Sequence, residues 1–211
     1  MLTPDFAYEL SLLPPNTRYL LGIDEVGRGP LAGPVTLGAF LLDLKSFDLE
    51  LFQKLKVRDS KKLSQSQRET IVKEFRKLSF PFKTFSASSQ KIDQQGIAFC
   101  LDSLLNSALS HFSGSFDFVL VDGNQNFSQE YIRAVISADA KTFSVASASI
   151  VAKVVRDLKM EAYHKEYPDY SFKDHKGYGT KKHLEALKKH GPCPIHRKSY
   201  KPIKKLIDTK H

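Results

Sequence analysis

The apolar residues of this chain change rhythm several times, and each change marks an element. Residues 19–26, Tyr-Leu-Leu-Gly-Ile-Asp-Glu-Val, begin as a nearly unbroken apolar run, which predicts a strand covered on both faces. Residues 33–44 repeat the pattern after a Gly/Pro-rich turn and read as its hairpin partner. Residues 64–78 shift to helical spacing, with Ser64 as cap and Ile71, Phe75 and Leu78 recurring along one side. A short strand is predicted over 80–87, and a second helix over 92–112 that ends in a Ser-Gly turn. Residues 116–122 read as a fourth strand closed by Gly123, and 133–138 as a fifth. A long helix is predicted over 147–167, with Ile150, Val154 and Leu158 on one stripe and Val151 and Val155 beside it; Pro168 ends it. A final helix spans 180–190 and stops at Gly191-Pro192, and a proline-punctuated basic tail follows from Cys193. Three early strands and then alternating helices and strands predict an α/β fold, a mixed sheet with helices on both sides.

Composition narrows the class. Of 211 residues 41% are hydrophobic, enough for a full core and far from the disordered class. Net charge is +9, which points to a polyanionic partner. Its distribution says more: residues 1–140 hold 15 Lys+Arg against 16 Asp+Glu, and residues 141–211 hold 17 against 7. The excess belongs to the last third, as expected of one basic face or arm. Cys100 and Cys193 make neither a disulfide framework nor a zinc-type spacing. The start is acidic, with Asp5 and Glu9, and Pro14-Pro15 interrupts it, so neither a signal peptide nor a membrane span is expected and the cytoplasm is the predicted location.

The candidate chemistry lies at strand ends. Asp24-Glu25 closes an apolar strand, where an ionised carboxylate is disfavoured unless it is paired or holds a metal. A strand end that simply reaches solvent would carry such a pair too. Asp122 ends a second apolar strand, and Asp139 follows the fifth. Carboxylates at the ends of neighbouring strands can meet, and sites in open α/β sheets gather where the strand order switches. A cluster of acids without His or Cys spacing favours hard cations, Mg²⁺ or Mn²⁺. Two such ions, roughly 3.5–4 Å apart, can activate water and stabilise the leaving oxygen of a phosphodiester. Read from the residues alone, the chain is a metal-dependent nuclease whose basic last third holds nucleic acid.

The run Gly22-Ile23-Asp24-Glu25-Val26-Gly27-Arg28-Gly29-Pro30-Leu31-Ala32-Gly33-Pro34 closely resembles the signature of the ribonuclease HII family. Further blocks follow in family order: Asp59-Ser60-Lys61-Lys62-Leu63, Val121-Asp122-Gly123, Ala138-Asp139, Ala148 to Lys153 with Arg156-Asp157, Lys176-Gly177-Tyr178-Gly179-Thr180 with His183, and His196-Arg197-Lys198-Ser199. The resemblance covers about residues 20–202. It implies a ribonuclease H-like mixed five-stranded sheet flanked by helices, with an N-terminal extension over 1–18, a core over 19–168, and a basic C-terminal helical segment over 169–211 packed on that core. It further implies that Asp24, Glu25, Asp122 and Asp139 hold two divalent ions. The substrates implied are RNA/DNA hybrids and DNA duplexes containing ribonucleotides, nicked 5′ of the ribonucleotide to leave 3′-hydroxyl and 5′-phosphate ends.

The same resemblance implies that Gly27-Arg28-Gly29 and Tyr178 recognise the junction between a ribonucleotide and the next deoxyribonucleotide. Glycines let backbone groups approach a 2′-hydroxyl, and a tyrosine ring can pack on the following sugar. Arg197 and Lys198, in the basic arm, are expected to touch phosphates; Lys61 and Lys62 serve either as phosphate contacts or as a solvated turn. His183 is expected to pack or cap locally. Asp157 rivals Asp139 as fourth ligand, but an ion pair with Lys153 one turn earlier is the plainer reading. In the run Ala146-Ser147-Ala148-Ser149 a serine stands where the family pattern leads one to expect alanine. Two rival readings are a ribonuclease HIII-like nuclease, whose extra N-terminal domain has no room before residue 19, and a non-catalytic nucleic-acid-binding module. A monomer is expected, and residues 206–211 offer no recognisable clamp-binding motif.

Overall fold

The computed structural model describes residues 4–208. Residues 1–3 of the predicted extension and residues 209–211 of the predicted C-terminal segment, including part of its 206–211 end, lie outside them. One sheet carries the predicted strands as β1 (Tyr19–Val26), β2 (Val35–Asp43), β3 (Phe82–Ala87), β4 (Phe118–Asp122) and β5 (Ile132–Val135). Its order is β3-β2-β1-β4-β5. β1, β2 and β3 run antiparallel as a meander, whereas β4 and β5 run parallel to β1 and to each other. β1 is therefore the strand at which the sheet changes from antiparallel to parallel pairing.

The helices are α1 (Phe6–Ser11), α2 (Leu49–Lys54), α3 (Gln65–Lys77), α4 (Ser89–Gln95), α5 (Ile97–His111), α6 (Phe143–Glu166), α7 (Phe172–His175), α8 (Lys181–His190) and α9 (Lys201–Asp208). Ser64 caps α3 in a capping box with Gln67, and Thr180 caps α8. The helix predicted over 92–112 is two helices, because Gly96 adopts φ +82 between them. α6 starts four residues before its predicted beginning, and Leu158 on its predicted stripe is 51% exposed. The predicted tail contains α9, and α1 and α2 were not predicted.

Alternating side chains on the central strands build two cores. Leu20, Phe40, Leu42, Phe118 and Leu120 face α3 and α6, together with Phe52, Phe75 and Phe143. Leu21, Ile23, Ala39, Leu41, Val119 and Val121 face α5 through Cys100, Leu104 and Phe112. On the α6 side the strands carry Gly22 and Gly38 where larger residues would otherwise stand. A Cβ on Gly22 would lie 2.3 Å from the Ser144 carbonyl carbon, and one on Gly38 would lie 2.2 Å from the Ala148 oxygen. The small residues of α6 and these two glycines thus let helix backbone rest on strand backbone. A third apolar cluster joins Leu31, Ala32 and Met160 to Phe172, Leu187 and Ile195, tying the C-terminal elements to the β1–β2 loop.

Candidate active site

Strand parity brings the first two carboxylates together. Side chains of a strand alternate faces, so Asp24 follows Leu20 and Gly22 toward α6, and Asp122 follows Phe118 and Leu120 the same way. Ile23 pairs with Val121 across the parallel β1–β4 ladder, which makes Asp24 and Asp122 the next positions on adjacent strands. Asp24 is 5% exposed. One of its oxygens accepts from the Glu25 N–H at 2.7 Å, and the Ser149 hydroxyl of α6 also bonds to it. Ser149 in turn shares a hydrogen bond of 2.9 Å with Ser60.

The third acid is delivered by a turn. Asp122 Oδ1 accepts from the Ala138 N–H at 2.7 Å, fixing the 3₁₀ turn Ala138–Ala140 that leads into α6. That turn holds Asp139, buried and bonded to Lys61 Nζ at 3.1 Å. Glu25 lies half-buried, with the Arg28 guanidinium 3.9 Å away.

These acids disturb one another. Burial pushes the Asp24 carboxyl well above its ordinary value, with Asp122, Glu25 and Asp139 adding to the rise against the Ser149 bond. Burial also raises Asp122, with Asp139 next, and raises Glu25 despite Arg28. Burial works against the charge of Lys61, yet Asp139 and its neighbouring acids hold its ammonium above the ordinary range. Such like-charge crowding in a cleft is a mark of functional sites more than of stabilising ones. Among the described residues no three His, Cys, Asp or Glu side chains stand so as to hold a metal ion between them. Asp24, Glu25 and Asp122 instead share a wall, with peptide N–H groups and a hydroxyl engaging individual oxygens, while Lys61 holds Asp139.

That wall belongs to a cleft of about 480 Å³, which Asp24, Glu25 and Asp122 line together with Gly27, Arg28, Gly29 and Tyr178. A wider groove of about 730 Å³ runs along α5 past Phe99, Asp102 and His111, but no cluster of acids converges there, so size does not choose the site. Gly27 has φ +95, and a Cβ there would lie 2.2 Å from Arg156 Nε; its lack of side chain serves packing. Gly29 has nothing within 4 Å of where a Cβ would be, so its backbone is the one left open to a ligand. Tyr178 is 44% exposed at the rim. Its carbonyl contacts His183 Nδ1 at 2.9 Å, and His183 lies buried against His196 at 3.0 Å.

Arg197, expected to touch phosphates, is corrected by the structure: it is fully buried, and its guanidinium bonds to the carbonyls of Gly27, Arg28 and Gly33 and to the Tyr200 hydroxyl. Positive charge in a basic tail does not reveal which residue turns inward. Lys198 beside it is exposed, with its N–H bonded to Asp93. Asp157 is buried and pairs with Lys153 at 2.7 Å and with Arg68 at 3.2 Å, the ion pair with Lys153 that the sequence suggested. Sequence reasoning missed Ser60, Arg68, Ser149 and Lys153 as cleft-lining residues. Ser149 was visible as part of a family block but with no role attached to it, and nothing in the pattern of α3 turned Arg68 toward the cleft.

Comparison with known proteins adds a family to this geometry. The pattern of the family described as Ribonuclease HII matches residues 21–203. The Ribonuclease HII of Clostridium tetani is 44% identical over 191 residues, covering 88% of this chain and 68% of that protein. That of Caldicellulosiruptor bescii is 42% identical and covers 92% of each chain. The crystal structure of the ribonuclease H2 from Pyrococcus horikoshii OT3 superimposes with a TM-score of 0.74 at 26% identity, covering 90% of this chain and 98% of that one. The five-stranded sheet with its flanking helices is thus the ribonuclease H fold, and the chain belongs to the ribonuclease HII family, a hydrolase of the type 2 ribonuclease H class.

Proposed function

We propose that this protein is an endonuclease that cuts the RNA strand of RNA/DNA hybrids and nicks DNA duplexes 5′ of a lone ribonucleotide, leaving 3′-hydroxyl and 5′-phosphate ends. The observation that carries the reading is that Asp24, Glu25 and Asp122 line the same cleft as Gly29 and Tyr178. Acids suited to phosphodiester chemistry and groups suited to reading a sugar face one space.

The family acts with divalent metal, and the donor set here fits a hard cation. Four carboxylates, a cleft whose described lining holds no His or Cys, and a buried Asp24 whose partners are a peptide N–H and a hydroxyl leave negative charge that a cation would relieve. Asp24, Glu25, Asp122 and Asp139 would hold two ions, Mg²⁺ or Mn²⁺, and these would supply a polarised water and charge stabilisation at the phosphate. The chain's own residues do the rest. Ser149 and the Glu25 N–H orient Asp24. The Ala138 N–H fixes Asp122 while the same turn presents Asp139. The Gly29 backbone meets the ribose 2′-hydroxyl, which separates RNA from DNA, and Tyr178 packs on the following deoxyribose. Lys198 and Lys61 meet phosphates. Water adds to phosphorus, the P–O3′ bond breaks, and a proton ends on the departing 3′ oxygen. Residues 19–168 carry the chemistry, the basic 169–211 segment clasps the duplex, and the protein works as a monomer. Two buried free cysteines suit the cytoplasm.

The test is a DNA duplex with one ribonucleotide, and a matched RNA/DNA hybrid, incubated with Mg²⁺, with Mn²⁺ and with chelator. Nicking 5′ of the ribonucleotide with either metal and none with chelator is expected. Binding without cutting under both metals would leave only a nucleic-acid-binding module.

A further inference from the structure

We infer that Arg197 is a positioning residue that turns the amides of Arg28 and Gly29 outward into the cleft. The inference rests on the function proposed above and deepens it.

The guanidinium of Arg197 carries five N–H donors. Nε bonds to the Gly33 carbonyl at 3.0 Å, Nη2 to Gly27 at 2.6 Å and Gly33 at 3.0 Å, and Nη1 to Arg28 and the Tyr200 hydroxyl, both at 2.9 Å. Every donor is spent on a neutral acceptor, four of the five on three carbonyls of one loop. Tyr200 completes the arrangement by donating its own hydroxyl to the Arg28 carbonyl at 2.7 Å. Burying a guanidinium against carbonyls alone is a poor route to stability, which directs attention to what the carbonyls do.

A trans peptide is planar, with its C=O and the following N–H pointing opposite ways. Holding the Gly27 and Arg28 carbonyls inward therefore drives the Arg28 and Gly29 N–H groups outward. Neither N–H donates to an acceptor among the described residues, and both residues line the cleft with the carboxylates. Successive N–H groups aimed at one space make a receptor for a sugar oxygen or a phosphate oxygen. Arg156 ties the loop a second time, bonding to the carbonyls of Ala32 and Pro34 and to that of Lys176 beyond it, so a change at Arg197 loosens the 27–29 stretch without freeing the whole loop.

The experiment compares kcat/KM on a lone-ribonucleotide duplex with kcat/KM on a long RNA/DNA hybrid, well below the melting temperature, for Tyr200→Phe and Arg197→Lys. The Tyr variant removes one hydroxyl and keeps the ring; the Lys variant keeps charge and loses the fork. Misplaced binding groups forfeit rate steeply, so the lone-ribonucleotide value should fall roughly ten-fold more than the hybrid value in Arg197→Lys, and a few-fold more in Tyr200→Phe, chiefly through KM. Phe75→Leu, in the core under the sheet, supplies a matched loss of stability and should leave the ratio alone. If both loop variants lose only stability, with the ratio unmoved, Arg197 is a structural residue and the inference is wrong. If Arg197→Lys fails to fold, the Tyr200→Phe ratio decides. A wild-type protein that cuts neither substrate would instead overturn the function itself, and this inference with it.

Discussion

A carboxylate enclosed by a serine and a peptide N–H, with three more acids within electrical reach, strains the protein that carries it. Asp24 should therefore separate activity from stability. Asp24→Asn should lower cleavage by roughly 10³-fold, because several kcal/mol of charge stabilisation at the phosphate go with the lost ligand, while raising the melting temperature of the metal-free protein. The sign follows from linkage. The folded pKa lies above the unfolded one, so the penalty grows as pH rises above the ordinary carboxylate range and is relieved as pH falls back toward it. Urea melts of both proteins across that range should show the Asn advantage shrinking with acid; an Asn variant less stable at pH 7 would refute it. Tyr178 offers the converse case. Its ring is half-exposed, so Tyr178→Ala should change stability by less than about 0.5 kcal/mol while cutting at a lone ribonucleotide falls about ten-fold. Equal loss of melting temperature would make it a packing residue. Asp24 and Asp122 were legible as site residues because each interrupts an apolar run at a strand end. Arg197 was not, because its inward turn depends on carbonyls from a loop 164 to 170 residues away.

Elements were legible where one rhythm ran without competition. β1 matches its prediction residue for residue and α3 differs only at its ends, since period and cap agree there. α6 was misplaced at both levels. Its first turns, Phe143 to Ser149, are buried all round and so show no polar face. Farther along, Arg156 and Asp157 are buried while Leu158 is exposed, because that half of the helix packs on loops through hydrogen bonds. The start of α6 was also hidden because its cap comes from another element. Thr142 makes no side-chain cap; Glu9 of α1, fully buried, accepts from the Phe143 and Ser144 N–H groups at 3.0 Å each and from the Ser144 hydroxyl. A distant carboxylate at a helix N-terminus satisfies orphan donors and the helix dipole together. Glu9→Ala leaves two buried N–H groups unpaired and should cost on the order of 2 kcal/mol or more, lowering the melting temperature by roughly 5 °C. Because the same junction carries the Asp139 turn, cleavage should fall as well. A loss under about 0.5 kcal/mol would mean that water replaces the carboxylate.

At the scale of the molecule, two sets of titrating groups respond to acid in opposite senses. The carboxylates have folded pKa values above their unfolded ones, burial being the largest cause, so acid relieves them. His183 and His196 lie in contact, fully buried, and burial holds each down to about 4. Their unfolded forms titrate near 6.5. Between those values the unfolded state binds more protons, so the stability they allow is present above 6.5 and is lost as pH falls toward 4. Both histidines belong to the C-terminal elements, where Phe172 packs against their rings, while the acids belong to β1, β4 and the 138–140 turn. Moving the metal-free protein from pH 7 to pH 5 should therefore loosen residues 170–200 before the sheet. Amide exchange, corrected for the intrinsic effect of pH, would read this as protection lost in α8 and kept in β1 and β4. Uniform loss across the chain would mean that the histidine pair does not control the attachment of the C-terminal elements. Loss confined to α8 would mean that the Tyr178 rim, bonded to His183 through its carbonyl, loosens in acid while the carboxylates stay in place.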